Sequence, residues 1–240
     1  DMLKETPLSP EQRDFVDTIH MAGESLLTIV NQVLDFSKLE SGSFKLDFYS
    51  FNLQDCVENI LDLLGAKALE KGIGLFYRIA ENVPLVVEGD SNRVRQVLLN
   101  LLGNALKFTE QGEVMLDVSR GEPDPIAHPE AVMVQFAVKD TGIGISPEQQ
   151  SQIFQPYTQA DVSTAHKYGG TGLGLNISHR LTELMGGKIW LKSKVGQGST
   201  FFFAIPLRPN DRSQLASSPE MPLAVLNGKH ILIIDQNPTI

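Results

Sequence analysis

The chain has 240 residues, of which 42% are hydrophobic, and its formal net charge at pH 7 is −9. A chain of this length can bury a sizeable core as one large domain with accessory segments. The acidic balance excludes a broad electrostatic attraction to nucleic acid or to an anionic membrane, so an anionic ligand requires a local basic patch. Cys56 is the only cysteine, which excludes an intrachain disulfide.

Membrane and export signals are missing from these residues. No stretch approaches the roughly 18 consecutive apolar residues of a membrane span, and the first residues do not resemble a signal peptide. We therefore expect a cytoplasmic location without membrane contact by this chain. Anchoring of a longer parent protein is left open.

The first predicted element is a long helix between Ser9 and Gly42. Ser9 suits the N-cap, Pro10 suits the first helical position, and Gln12 completes a capping box. At about 1.5 Å per residue this helix would be about 50 Å long. Apolar residues spaced by three and four mark one face, which predicts partner helices in a bundle. They are Phe15, Ile19, Ala22, Leu26, Ile29, Val33 and Phe36.

The middle of the chain mixes helices and strands. Apolar periodicity and terminal glycines predict helices in 51–72 and 90–109. β-Branched and aromatic residues predict strands, in 112–120, 131–140, 187–194 and 198–207. This order predicts an α/β protein: a two-layer sandwich of helices on a mixed sheet, preceded by a long helical-hairpin segment.

The last part of the chain changes character after residue 207. Residues 208–227 are polar and carry prolines, which is typical of a linker. Residues 228–240 contain the apolar run "ILIID" followed by a turn dipeptide, which resembles the first strand of a doubly wound domain.

Asn100, Asn104 and Lys107 are spaced i, i+4 and i+7 and so fall on one face of the helix predicted in 90–109. Two carboxamide oxygens and an ammonium group suit a phosphate with its magnesium ion, because Mg²⁺ prefers oxygen ligands and lysine offsets phosphate charge. The alternative is that these side chains are simply solvated.

The stretch "DTGIGI" places Asp140 at a strand end with Gly142 and Gly144 just beyond. An aspartate there can accept a hydrogen bond from an exocyclic amine, while glycines let a planar base approach the backbone. Asp-x-Gly is also a common turn, so this motif alone is weak.

A third motif, "YGGTGLGL" at residues 168–175, leads into a predicted helix. A helix N-terminus offers unsatisfied N–H donors and positive potential, so an anion is a natural occupant. The glycines also suit a mobile lid, and an ordinary flexible loop is the alternative.

In combination the motifs are specific. The order "NLLGNALKF", "DTGIGI", "IFQPYTQ", "GGTGLGL" and "GQGSTFFF" resembles the N, G1, F, G2 and G3 boxes of the histidine kinase catalytic domain, within the wider gyrase, Hsp90 and MutL family with its Bergerat fold. The resemblance covers residues 48–207. Residues 1–47 resemble the second helix of the dimerisation and phosphotransfer region of hybrid kinases, and 228–240 the start of a receiver domain.

The resemblance implies a site for ATP and Mg²⁺. Asn104 would ligate the metal, Asn100 would lie close to the metal and phosphates, and Lys107 would contact phosphate. The lid would span roughly 154–170. The triphosphate would be held around the glycine-rich stretch, by Lys167, Gly170, Thr171, Gly172, Leu173 and Gly174. Asp140 would bind the adenine amino group, with Gly142, Gly144 and Thr200 around the base.

The implied activity is transfer of the γ-phosphoryl group of ATP to a histidine and then to an aspartate of a response regulator or receiver domain, in a homodimer formed through the helical region. In the ATP-hydrolysing relatives a glutamate stands at the position of Asn100; an amide has no useful basicity, which argues against a gyrase-type or Hsp90-type ATPase. A non-phosphorylating nucleotide-binding or scaffold module is the other alternative.

The phosphoacceptor is expected outside this chain. His20, in "TIHMAGES", lacks the family's acceptor context, so we expect the isolated chain not to phosphorylate itself. Asp235 is followed by Gln236 where receivers usually have a second acidic residue, which leaves a degenerate and a functional receiver as alternatives. The signal sensed and the cognate response regulator are not encoded in these residues.

Overall fold

The computed structural model describes residues 3, 6–122, 129–156 and 172–210. Residues 1–209 form one unit and residues 210–240 a second, of which only Asn210 is described. The linker predicted from residue 211 onward and the receiver strand predicted in 228–240 lie outside the described residues.

The long N-terminal helix, α1, spans Pro10–Glu40. The predicted capping box is confirmed: the Gln12 amide donates to Ser9 Oγ at 3.2 Å, and the Ser9 amide donates to Gln12 Oε1 at 2.9 Å. Much of the apolar stripe is exposed, including Phe15 and Ile19, whereas Phe36 at the C-terminal end packs against the core of the unit. The exposed part has the pattern of a helix that pairs with other helices.

The remaining elements alternate as predicted for a mixed α/β fold. The helices are α2 (Leu53–Lys71), α3 (Ser91–Phe108), α4 (Pro147–Gln150) and α5 (Gly174–Leu184). The strands are β1 (Tyr49–Asn52), β2 (Gly74–Ile79), β3 (Val86–Gly89), β4 (Glu113–Arg120), β5 (Val132–Asp140), β6 (Lys188–Lys194) and β7 (Gly198–Pro209).

The strands form one seven-stranded sheet in the order β1-β3-β7-β5-β4-β2, with β6 also paired to β7. Among the strands that the structure describes, only the β2–β4 pairing is parallel, so the predicted mixed sheet is confirmed. β7 runs through Pro209, because its last residues pair with β3, two residues past the expected boundary at 207. Alternate residues of β5, such as Phe136 and Val138, are buried and lie in one core with apolar residues of α2, α3 and α5.

The C-terminal end of α1 is tied to α3. Gln96 Nε2 donates to Asp35 Oδ2 at 2.8 Å, and the Arg93 guanidinium lies 4.5 Å from the centre of the Phe44 ring. The Asp47 amide also donates to Asp90 Oδ2, the N-cap residue of α3, at 3.1 Å. The start of α3 is therefore held by the end of α1 and the segment that follows it.

The C-terminal end of α3 is held by a lysine of α2. Lys71 Nζ donates to the carbonyl oxygens of Leu106 at 2.7 Å, Lys107 at 3.3 Å and Thr109 at 3.4 Å. These carbonyls lie in the last turn and cap of α3, where a cation is favoured by the helix dipole.

We expect Lys71→Met to lower the free energy of unfolding by about 0.5–1 kcal/mol, because the ammonium that caps α3 is lost. The matched control is Lys67→Met, which removes an exposed lysine one turn earlier on α2 and should leave stability within about 0.5 kcal/mol. Urea unfolding of both variants measures the difference. Equal stability of the two variants would show that the cap contributes nothing.

Candidate functional site

Asn100 of α3 meets the first turns of α5. Its Nδ2 donates to Ser178 Oγ at 2.8 Å. A Cβ atom added to Gly174 would overlap Asn100 Oδ1, whereas Asn100 Nδ2 would lie 3.3 Å away. Only glycine leaves room for this approach, and the carboxamide oxygen of Asn100 consequently lies against the first residue of α5.

The N-terminus of α5 is suited to an anion. The N-cap residue is Leu173, whose side chain has no hydrogen-bond acceptor, and Gly172 before it has a φ of +69°. The other helices that the structure describes begin with a side-chain cap, provided by Ser9, Asn52, Asp90 and Ser146. The first amides of α5 are thus not satisfied by a capping side chain, which is the arrangement that binds phosphate.

Asp140 lies at the end of β5 and is 6% exposed. Its Oδ1 accepts hydrogen bonds from the Gly142 amide at 2.9 Å and the Ser199 amide at 3.2 Å. Neither bond involves Oδ2, which is left to accept from a ligand donor. Burial raises the pKa of Asp140, and the two backbone hydrogen bonds lower it by less.

Gly142 and Gly144 allow close backbone contacts, as their spacing predicts. A Cβ at Gly142 would lie 2.5 Å from the carbonyl oxygen of Phe108, the last residue of α3. Gly144, with a φ of +71°, packs its Cα against the backbone of Lys194. The turn after β5 is therefore pressed between the end of α3 and the β6–β7 turn.

The register of β7 places the neighbours Ser199 and Thr200 on different faces of the sheet. Thr200 pairs with Lys139, whereas Ser199 pairs with Asp140. Because directly opposed residues project to the same face of a sheet, Ser199 lies on the buried face with Asp140 and Thr200 lies on the other face. The expectation that Thr200 borders the base stays a prediction, and Ser199 is the residue of β7 that lies on the face of Asp140.

Asn104 and Lys107 lie on α3 with Asn100, and both are half-buried. The Lys107 ammonium lies 5.0 Å from the centre of the Phe108 ring. Burial, followed by the nearby Lys67 ammonium, lowers the pKa of Lys107. An anion beside Lys107 would raise that pKa again, so phosphate binding favours the charged form. Lys167, Gly170 and Thr171, and the predicted lid beyond residue 156, lie outside the described residues.

The side-chain oxygens that this site offers to a metal ion are amide oxygens. The described parts of the chain contain no cluster of three or more His, Cys, Asp or Glu side chains suited to a metal. Asn100 and Asn104 present oxygen donors on one helix face, and Mg²⁺ accepts a few protein oxygens together with phosphate oxygens and water. The donor set therefore fits Mg²⁺ bound with a polyphosphate. No helix in the described residues is long and apolar enough to cross a membrane.

Residues 89–209, which contain this site, match the profile of the histidine kinase-, DNA gyrase B- and HSP90-like ATPases. The chain belongs to this ATPase family. Residues 1–42 match a second profile, the His Kinase A (phospho-acceptor) domain. The two matches together identify a histidine kinase catalytic domain preceded by a phospho-acceptor segment, as the sequence motifs predict.

Curated relatives of this histidine kinase chain are hybrid and sensor kinases. Hybrid signal transduction histidine kinase A of Dictyostelium discoideum is 46% identical over 214 residues, which cover 88% of this chain and 10% of the relative. Signal transduction histidine-protein kinase BarA of Escherichia coli is 39% identical over 232 residues, or 97% of this chain and 24% of BarA. The chain thus spans a small part of the relatives it matches.

Solved histidine kinase structures share the fold. Full-length ShkA in complex with AMPPNP is 35% identical with a TM-score of 0.72, over 87% of this chain and 41% of ShkA. ThkA in complex with the response regulator protein TrrA is 26% identical with a TM-score of 0.60, over 88% of this chain and 56% of that one.

Sequence reasoning missed the two serines of this site. Ser199 follows the glycines of "GQGSTFFF", and the alternation of buried residues in β7 is the signal that places it on the face of Asp140. Ser178 gives no local signal, because its partner Asn100 lies 78 residues away in the sequence.

Proposed function

We propose that this chain binds ATP with Mg²⁺ and transfers the γ-phosphoryl group to a histidine, as the catalytic part of a hybrid sensor histidine kinase. The observation that carries the proposal is the amide of Asn100 against the α5 N-terminus. A general base that activates water needs a basic group at this place, and a carboxamide has none. The site therefore favours holding ATP over hydrolysing it.

We assign the residue roles from the chemistry of each group and, for the described residues, from its position. Asp140 accepts the exocyclic amine of adenine, and the turn at Gly142 and Gly144 lets the base approach the backbone. Asn100 and Asn104 supply oxygen ligands, Lys107 offsets phosphate charge, and the amides at Gly172–Gly174 hold the triphosphate. A bound Mg²⁺ would neutralise charge on the transferring phosphoryl group. The proposed triphosphate-binding residues also include Lys167, Gly170, Thr171 and Leu173.

In the proposed reaction the imidazole nitrogen of the acceptor histidine forms a bond to the γ-phosphorus as the bond to the bridging oxygen breaks and ADP leaves. The protein contributes positioning and charge neutralisation. A second transfer moves the phosphoryl group from histidine to an aspartate of a response regulator or receiver. The exposed stripe of α1 supports a homodimer through the helical region, and the cytoplasm supplies the ATP.

The first test is nucleotide binding by the 240-residue chain, measured by isothermal titration calorimetry. We expect Mg·ATP and Mg·ADP to bind, and Asn104→Ala to weaken Mg·ATP binding at least about tenfold because a metal ligand is lost. Asn92→Ala, on an exposed position of the same helix, is the matched control and should bind as wild type. Equal binding by the two variants contradicts the role of Asn104.

The second test is phosphoryl transfer. With radiolabelled ATP, we expect acid-labile label on a separately supplied histidine-bearing helical domain and none on the chain itself. Self-labelling would place an acceptor within residues 1–240 and contradict the expectation for His20. Tight Mg·ATP binding without transfer to any acceptor domain would favour the nucleotide-binding scaffold, and rapid ATP hydrolysis would favour an ATPase.

A further inference from the structure

We propose that Ser178 is a positioning residue that turns the carboxamide oxygen of Asn100 toward the metal and phosphate end of the site. Nothing in the sequence motifs assigns a role to Ser178. The inference rests on the proposed function, since it concerns how the same site is organised for Mg·ATP.

Asn100 contacts α5 at two places one helical turn apart. Its Nδ2 donates to Ser178 Oγ at 2.8 Å, and its Oδ1 lies against Gly174, four residues before Ser178. Residues at i and i+4 lie on the same face of a helix. The carboxamide therefore lies along that face of α5, with nitrogen toward the second turn and oxygen toward the N-terminus.

Ser178 is rigidly placed. Its side chain is 1% exposed, and its carbonyl oxygen accepts from Thr182 Oγ1 at 2.7 Å. Leu181, on the same helix, is fully buried in the core. A buried hydroxyl on a packed helix loses little further freedom when it accepts a hydrogen bond, so it can hold Asn100 in one orientation.

The orientation of the carboxamide decides what Asn100 can bind. Its oxygen is an acceptor and a ligand for a hard cation, whereas its nitrogen is only a donor. The N-terminal end of α5 carries positive potential and has no side-chain cap, so it favours the oxygen and disfavours the NH₂ group at Gly174. The hydroxyl of Ser178 accepts the NH₂ group at the other end, and both contacts stabilise the same rotamer.

The first experiment separates metal binding from nucleotide binding. ATP binding to the 240-residue chain is measured by calorimetry at saturating Mg²⁺ and again in EDTA. We expect Ser178→Ala to weaken Mg·ATP binding about five- to tenfold, as for one lost hydrogen bond, and to change ATP binding in EDTA less than about twofold. Ser119→Ala removes a half-buried hydroxyl of β4, at the end of the strand away from Asp140, and should bind Mg·ATP as wild type.

A second pair of variants at position 178 distinguishes loss of the hydrogen bond from a general packing defect. Ser178→Thr and Ser178→Val have the same shape, but only threonine keeps the oxygen that accepts from Asn100. We expect the threonine variant to bind Mg·ATP about five- to tenfold more tightly than the valine variant. In an Asn100→Ala background the two should bind equally, because Ser178 acts through Asn100.

The outcomes separate this inference from the proposed function. Wild-type Mg·ATP affinity in Ser178→Ala, an equal loss with and without Mg²⁺, or the full effect in the Asn100→Ala background each overturns the role of Ser178. Absence of ATP binding by the wild-type chain overturns the proposed function instead.

Discussion

Asp140→Asn should weaken ATP and ADP binding by about a hundredfold while the fold is retained. The variant keeps an oxygen that can accept from the Gly142 and Ser199 amides, but it replaces the remaining carboxylate oxygen by an NH₂ group. Two donors, the adenine amine and this NH₂ group, then face each other in a buried place, so a charge-assisted hydrogen bond is replaced by an unsatisfied pair. Isothermal titration calorimetry with ADP measures the dissociation constants of the variant and of wild type.

The same variant should be more stable than wild type at neutral pH. Burial raises the pKa of Asp140 above its unfolded value near 3.8. A raised folded pKa means that stability is greatest below the unfolded pKa and falls as pH rises through the folded pKa. Asparagine does not titrate, so the stability gain of the variant should be present at pH 7, shrink as pH falls through the raised folded pKa, and be absent below about pH 4.

Asp117→Asn is the matched control for both measurements. Asp117 lies on the neighbouring strand β4, opposite Ala137, and pairs with Arg78 on the face of the sheet away from Asp140. This control should bind ADP as wild type. An Asp140→Asn variant that binds ADP with wild-type affinity, or one that is less stable than wild type at pH 7, would contradict the role given to the buried carboxylate.

Gly198→Ala should lower the free energy of unfolding by about 3 kcal/mol or more, a large part of the stability of an ordinary domain. Gly198 begins β7 with a φ of +87°. A Cβ there would overlap the carbonyl oxygen of Asp140 and lie 2.8 Å from its carbonyl carbon. These are backbone atoms of the paired strand, so β5 and β7 must separate and the Asp140 turn must shift.

Gly196→Ala separates steric overlap from backbone strain. Gly196 lies in the same turn with a φ of +75°, but a Cβ there meets no atom within 4 Å. This variant should lose only about 1 kcal/mol, the usual cost of a positive φ without a collision. Urea unfolding at pH 7 measures the free energy of unfolding of both glycine variants. Equal losses for Gly196→Ala and Gly198→Ala would show that the contact with Asp140 is not tight.

Local signals in the sequence predict much of this fold. The capping box of Ser9 and Gln12, the buried alternation of β5 and the asparagine row of α3 each depend on residues close in sequence, and the structure places these elements accordingly. The strands β1, β2 and β3 escape prediction. β1 and β3 are four-residue strands that are ordered by pairing with each other and with β7, far along the chain.

The parts of the site that depend on contacts between distant elements could not be predicted from the sequence. Motif order predicts Asn100, Asp140 and Gly174 as site residues, because each chemistry needs a particular residue type. The place of Ser199 depends on the register of β7 against β5. The bond from Asn100 to Ser178 depends on how α3 and α5 pack, which no local pattern encodes.

The bond from Asp35 on α1 to Gln96 on α3 has a mechanical consequence. Gln96 and Asn100 are spaced i and i+4, so the residue that bonds to α1 lies one turn before Asn100 on the helix face where we propose the metal and phosphate contacts. Both residues belong to the single helix α3. A rotation of α1 that moves Asp35 must therefore either break this bond or carry Gln96 with it, one helical turn from Asn100.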